Sequence, residues 1–281
     1  MSSEAIGIVA GWGEYPLEVA RALREKGHTV VVAAVHDHAS KEIEQLAHYT
    51  KWIGVAKLGG MQRFFKQHQV EHVCLSGKLF KDRILFHGWG WMDHFPDWEC
   101  VMTMLPLFYS RATNTSDDSL LGAVVASFTR KGIKTIPGTE FATQLIADAG
   151  VLTRRKPTSN ELADIEFGWT IAKQMGGLDV GQSVTVRDRT ILAVEAIEGT
   201  DSCIVRTGQI CPRGGFSLVK VSKPQQDMRF DVPTIGPQTI EKMALAGGKA
   251  IAIEAGKTIL INRAKTLEMA DSHGITILSR V

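Results

Sequence analysis

Through the first half of the chain, short β-branched runs alternate with stretches of helical periodicity. Adjacent parallel strands need a crossover between them, and a helix is the usual one, so this alternation predicts a parallel sheet with crossover helices. The spacing places strands at 5–10, 29–35, 50–55, 71–76 and 133–136. The first run, Ala5-Ile6-Gly7-Ile8-Val9-Ala10, ends in Gly11-Trp12-Gly13-Glu14-Tyr15-Pro16, after which Leu17, Val19, Ala20 and Leu23 recur at helical spacing. Pro16 suits the first turn of that helix. A glycine turn between a first strand and a helix presents backbone N–H groups to a phosphate or a ribose edge, which makes Gly11, Gly13 and Pro16 candidate binding positions. A dinucleotide fingerprint needs a third glycine where Pro16 stands, which counts against NAD or FAD; a tight turn without a ligand is the other reading. The fourth strand runs into Ser76-Gly77-Lys78, at the carboxyl edge where such sheets bind ligands, so Gly77 and Lys78 join the candidates.

Beyond Lys78 the periodicity breaks into an aromatic, glycine-rich stretch, with Phe86, Trp89, Trp91 and Phe95 among its members. Its two readings are a lipid-facing flap and a loop packed on the domain. Thr115-Ser116-Asp117-Asp118 then offers N-cap chemistry for a helix. Capping accounts for one aspartate, which leaves a polar role open for Asp117 or its neighbour. After Ile136 the character changes, dividing the chain into a nucleotide-binding-like domain, 1–136, and a catalytic α+β domain, 137–281. In the second, helices are expected at 159–176, 237–247 and 263–272. Strands are expected at 183–187, 190–194, 203–207, 216–221, 250–254, 258–261 and 275–278.

Hydrophobic residues make up 44% of the 281, enough for a full core. No apolar run approaches the roughly 20 residues that cross a bilayer, and Met1-Ser2-Ser3-Glu4 lacks the features of a secretion signal, so a soluble, cytoplasmic protein is expected. The net charge of +2 is spread without a basic run, which argues against nucleic acid as a partner. The four cysteines form no Cys-x-x-Cys pair and read as packing residues. His36-Asp37-His38 and the pair His68 and His72 each lack an obvious third ligand, so strand-end and surface histidines are preferred to a zinc site.

Two segments of the second domain are denser in polar groups than folding requires. In Val194-Glu195-Ala196-Ile197-Glu198-Gly199-Thr200-Asp201 an apolar strand runs into three acids around a glycine. The other spans 220–237, whose prolines predict an exposed, extended loop. Lys220, Lys223 and Arg229 suit a diphosphate, while Asp227 and Asp231 are hard oxygen donors of the kind that hold Mg²⁺, with Glu195, Glu198 and Asp201 as further metal candidates. An ion-pair network that merely fixes a loop is the competing reading.

The run from Lys223 to Gly236 (Lys-Pro-x-Gln-Asp-x-Arg-x-Asp-x-Pro-x-x-Gly), with Val194–Asp201 and Gly-x-Gly-x-x-Pro near the start, resembles the LpxI-type UDP-2,3-diacylglucosamine pyrophosphatases. That resemblance implies a Rossmann-like N-terminal domain, a mixed α+β C-terminal domain and a substrate cleft between them. It further implies Mg²⁺-assisted hydrolysis of UDP-2,3-diacylglucosamine to UMP and 2,3-diacylglucosamine 1-phosphate in lipid A biosynthesis, by water directed at the sugar-proximal phosphorus. Asp227 would be the aspartate required for catalysis, supported by Asp231, Arg229 and Lys223, while Thr200, Lys220 and Gln226 would bind substrate alongside the N-terminal positions. A lipid-linked nucleotide sugar as substrate implies transient contact with the inner face of the inner membrane. Nothing in the sequence forbids a homo-oligomer. A non-catalytic nucleotide-sugar sensor and a dinucleotide-dependent oxidoreductase are the competing classes.

Overall fold

The computed structural model describes residues 4–79, 95–109 and 117–281, with the side chains of 107–118 outside the description. The chain divides into two compact units, Met1–Thr143 and Gln144–Val281.

In chain order the first unit contains β1 (Ala5–Ala10), α1 (Tyr15–Glu25), β2 (Thr29–Val35), α2 (Ile43–Leu46), β3 (Tyr49–Ile53), α3 (Leu58–Gln67) and β4 (His72–Ser76). After these come α4 (Trp98–Tyr109), α5 (Asp117–Arg130) and β5 (Lys134–Thr135). The five strands form one sheet in the order β3-β2-β1-β4-β5. Every pairing in it is parallel, the Rossmann-like arrangement expected. The central strands read as near-continuous apolar runs because helices cover both faces. Val31, Phe65, Val73 and Phe128 fill one of its buried clusters. The unit runs past residue 136 because Phe141 lies edge-on to His28, with ring centroids 5.4 Å apart.

The second unit contains β6 (Gly150–Val151), α6 (Ser159–Gly177), β7 (Ser183–Arg187), β8 (Thr190–Val194), α7 (Gly199–Ile210), β9 (Ser217–Lys220) and β10 (Thr234–Ile235). It closes with α8 (Pro237–Ala246), β11 (Ala250–Glu254), β12 (Ile259–Leu260), α9 (Arg263–Ser272) and β13 (Thr276–Arg280). Six strands form a sheet in the order β6-β13-β11-β9-β7-β8, and β10 pairs with β12. The sheet is mixed: β11 runs parallel to β9 and β13, while β6, β7 and β8 join antiparallel. A capping box starts α6, where the Thr158 hydroxyl accepts from Glu161 N–H and the Glu161 carboxylate accepts from Thr158 N–H.

One expected strand is corrected. Residues 203–207 belong to α7, and the burial pattern gives the reason: Cys203, Ile204 and Thr207 are buried, while Val205 and Arg206 face solvent. That is helical spacing, and the β-branched residues of the run mislead a propensity reading.

Candidate active site

At the carboxyl edge of the first sheet, two turns are laced together. Gly11 N–H donates to Ser76 O at 2.8 Å, Trp12 N–H to Lys78 O at 2.8 Å, and Lys78 N–H back to Trp12 O at 2.9 Å. Gly77 has φ +90°, and a Cβ there would come within 2.9 Å of Gly11, Trp12 and Pro16. Gly11, Pro16, Gly77 and Lys78 are therefore brought together, with Gly13 on the same turn. The N–H groups of Gly11 and Trp12 are already engaged, so a ligand at this edge would meet other groups. The hydroxyls of Tyr15 and Ser76, which sequence reasoning passed over, are buried here without a hydrogen-bond partner. Asp117 begins α5, and its side chain lies outside the described residues.

In the second unit the loop after β9 is folded into successive turns, and this corrects the extended, exposed loop expected. Gln226 N–H donates to Lys223 O at 3.1 Å, and Phe230 and Asp231 N–H both donate to Asp227 O, at 3.2 and 3.0 Å. Local side chain to backbone bonds supply the reason. Gln226 Oε1 accepts from Lys223 N–H at 2.7 Å, and Asp227 Oδ1 accepts from Arg229 N–H at 3.0 Å. The prolines thus bracket a turn.

Asp227 is gripped by Arg229. Its guanidinium Nε lies 2.9 and 3.1 Å from the two carboxylate oxygens, and Nη2 lies 2.5 Å from Oδ2. The Arg229 side chain holds the Asp227 carboxyl below the usual carboxylate range, against the opposing effect of burial. Lys223 Nζ donates to Asp179 Oδ1 at 2.6 Å, so it pins the loop to the turn after α6. Asp231 sits half-buried on the same turn as Asp227, and the Gln226 amide nitrogen is buried without a partner.

Lys220 is buried at the end of β9, where its Nζ donates to Thr200 Oγ1 at 2.9 Å. Thr200 in turn donates to Glu195 Oε1 at 2.9 Å, and Glu195 Oε2 is buried without a hydrogen-bond partner. Glu198 is committed elsewhere: it pairs with Arg206 and accepts from Ala196 N–H. Its own backbone N–H and Arg206 hold its carboxyl below the usual range. Asp201 occupies the first turn of α7. Among the described residues no three His, Cys, Asp or Glu side chains gather as a metal-ligand group, so Asp227, Asp231, Glu195, Glu198 and Asp201 are not one cluster. His72 pairs with Glu4 at 2.7 Å, and His38 Nδ1 lies 2.8 Å from His36 O. Burial pushes the Cys74 thiol up to about 12 and that of Cys203 up to about 11, so neither offers a thiolate nucleophile near neutral pH.

Sequence reasoning missed Glu254. At the end of β11 this buried carboxylate accepts from Lys173 Nζ at 2.5 Å, from Lys257 Nζ at 2.7 Å, and from both Ser222 N–H and Ser222 Oγ. The one available signal was an acid closing the apolar run Ala250-Ile251-Ala252-Ile253.

Comparison with known proteins agrees with both units. Residues 5–145 match the LpxI N-terminal domain, and residues 148–278 match the LpxI C-terminal domain. The UDP-2,3-diacylglucosamine pyrophosphatase LpxI of Caulobacter vibrioides is 28% identical over 286 aligned residues, covering 97% of this chain and 96% of that protein. The two domain matches, in order and spanning nearly the whole sequence, show that this chain belongs to the LpxI family.

Proposed function

We propose that this protein hydrolyses the diphosphate of UDP-2,3-diacylglucosamine, releasing UMP and 2,3-diacylglucosamine 1-phosphate, as a Mg²⁺-assisted step of lipid A biosynthesis. The carrying observation is the Asp227–Arg229 pair on the turn 227–231, because it presents a carboxylate favoured in its ionised form inside the motif that bears the family likeness. In this reading the N-terminal edge around Gly11, Gly13, Pro16, Gly77 and Lys78 takes the nucleotide, Asp117 contributes there, and the C-terminal unit carries the chemistry.

A carboxyl held below its ordinary range is a weak general base at neutral pH. Asp227 therefore acts by charge and by accepting a hydrogen bond from the attacking water. Water adds to phosphorus, the bond from that phosphorus to the bridging oxygen breaks, the bridging oxygen leaves on the other phosphate, and the proton that water loses passes to solvent. Arg229 and Lys223, together with Lys220 and Thr200, counter the charge that grows on the phosphoryl oxygens. Gln226, with its unpartnered amide, supplies a donor to the substrate.

The donor chemistry suits Mg²⁺. Such ions are commonly held by one or two carboxylates, with phosphate oxygens and water completing the shell. Arg229 meets Asp227 Oδ1 with both its backbone N–H and Nε, and Oδ2 with Nε and Nη2, so an ion held at Asp227 would share the carboxylate with Arg229 or displace part of its grip. Asp227 and Asp231 are the residues of this turn that would hold the ion, with Glu195, whose Oε2 has no hydrogen-bond partner, as a further donor; Glu198 and Asp201 are the weaker candidates. When bound, the ion would polarise the P–O bond and lower the pKa of water.

Two acyl chains on the substrate imply a cytoplasmic enzyme in transient contact with the inner face of the inner membrane. Among the described residues no helix is long and apolar enough to cross a membrane. The test is UMP release from UDP-2,3-diacylglucosamine by the wild type and Asp227→Ala, each with Mg²⁺ and with EDTA. Turnover that needs Mg²⁺ and falls at least about 100-fold in Asp227→Ala is expected. Substrate binding without UMP release in any arm would replace the hydrolase with a sensor.

A further inference from the structure

The helix α4 carries an apolar stripe on its solvent side. Trp98 is 76% exposed, Met102 49% and Leu105 41%. At 100° per residue these three fall within one narrow arc, while Thr103, on the opposite side, is buried and accepts from Arg130. Phe95, just before the helix, is 58% exposed. Exposed large apolar side chains are ordinary singly; three on one helix face are not.

Cations rim the stripe. A hollow of about 320 Å³ beside Trp98 is lined by Arg63, Lys66 and Lys131, along with Asp97 and Glu99. The two acids are turned to internal work. Asp97 accepts from Gly60 N–H at 2.9 Å and Cys100 N–H at 3.0 Å, and Glu99 accepts from Ser127 Oγ at 2.9 Å and Lys131 Nζ at 3.1 Å. Arg63 and Lys66 stand exposed on α3, while Arg130 and Lys131 both face Glu99, so four cations against the two acids leave this side net positive.

We propose that this face of α4, with its basic rim, docks on the surface of an anionic phospholipid bilayer. Tryptophan favours the headgroup level, flanking methionine and leucine reach the acyl boundary, and the cations meet lipid phosphates. This pairing of an apolar arc with a positive rim distinguishes a bilayer from a second copy of the chain, whose matching face would be equally basic. The inference rests on the proposed reading only for its purpose, since a substrate with acyl chains is met at a membrane. Docking itself needs no substrate, so its failure would leave the UMP assay untouched.

The test is co-flotation of the full chain with phosphatidylcholine vesicles, with and without phosphatidylglycerol, at low and high salt. The wild type should bind the phosphatidylglycerol vesicles at least about tenfold better than neutral ones, and lose that preference in high salt. Trp98→Ser with Met102→Ser, and separately Arg63→Glu with Lys66→Glu, should each lower binding about tenfold with Tm retained. Wild type that does not float, or variants that float like wild type, would overturn the proposal. A wild-type dimer that Trp98→Ser with Met102→Ser converts to monomer, by light scattering, would overturn it in favour of a second copy.

Discussion

Glu254 receives both polar groups that Ser222 can donate, its backbone N–H at 2.9 Å and its hydroxyl at 2.8 Å, on a single carboxylate oxygen. Lys173 reaches the same oxygen and also donates to Ser222 O at 3.0 Å. The chain is thus anchored just before the loop that bears Lys223, Gln226, Asp227 and Arg229. Removing the charge by Glu254→Gln leaves Lys173 without its acid and should cost about 1.5–3 kcal/mol, the scale of a charge-assisted hydrogen bond. Urea unfolding measures it. Lys257→Met, which removes only the more exposed partner, should cost well under half as much.

The same residue sets an acid limit. Burial alone would raise the Glu254 carboxyl, but the bonds from Lys173, Lys257 and Ser222 prevail and hold it at about 2, against an ordinary 4.5. A group depressed on folding contributes stability above its unfolded pKa and loses it as the pH falls towards the folded value. Stability should therefore decline between pH 4.5 and about 2, and Glu254→Gln should flatten that slope. Urea midpoints at stepped pH decide the matter; parallel slopes for both proteins would refute it.

Arg229 is the main reason that Asp227 stays ionised, so Arg229→Gln should raise the Asp227 pKa. Since the ionised form is the active one in the proposed reaction, the acid limb of kcat/KM should move to higher pH. Arg229→Lys should move it less, because an ammonium keeps the charge but cannot form the forked pair. A pH–rate profile with an unmoved acid limb in Arg229→Gln would show that Asp227 ionisation does not govern turnover.

The first sheet was legible in advance because its cause is local. Apolar runs such as Thr29–Val35 are long, β-branched and separated by helical spacing, so each reports its own element. Residues 203–207 failed because the signal there is composition without period, and only packing revealed which residues face inward. In the site, the types and spacing of Asp227 and Arg229 were enough to flag the motif. Glu254 was invisible, since its partners Lys173 and Ser222 are distant in sequence and meet it only when the sheet forms. The extended reading of 220–237 gave weight to prolines and overlooked the local bonds that Gln226 and Asp227 make to the backbone.

Gly77 and Gly13 share a left-handed conformation but differ in their surroundings. A Cβ at Gly77 would lie 2.8 Å from Gly11 and Trp12 backbone atoms, whereas at Gly13, with φ +107°, nothing lies within 4 Å. Gly13→Ala should cost only the backbone penalty, about 1–2 kcal/mol. Gly77→Ala adds a collision with main chain that cannot give way, so its loss should exceed that of Gly13→Ala and should also weaken UMP binding. Thermal unfolding and UMP titration of the two variants test the order; equal losses would show that the two turns are not held in register by this contact.

Thr200 links a buried ammonium to a buried carboxylate, taking a hydrogen bond from Lys220 and giving one to Glu195. Thr200→Val keeps the shape and removes the link. Glu195 would then lack a donor at both oxygens, since Oε2 already has none. Leaving a buried polar group unsatisfied costs about 1–3 kcal/mol, more for a charged one, so Thr200→Val should lie at or above the top of that range. Thr200→Ser, which keeps the hydroxyl, should recover most of it. If Glu195 or Lys220 also serves the diphosphate, Thr200→Val should lower kcat while Thr200→Ser restores it. Stability loss with kcat unchanged would confine this trio to holding α7 against β9.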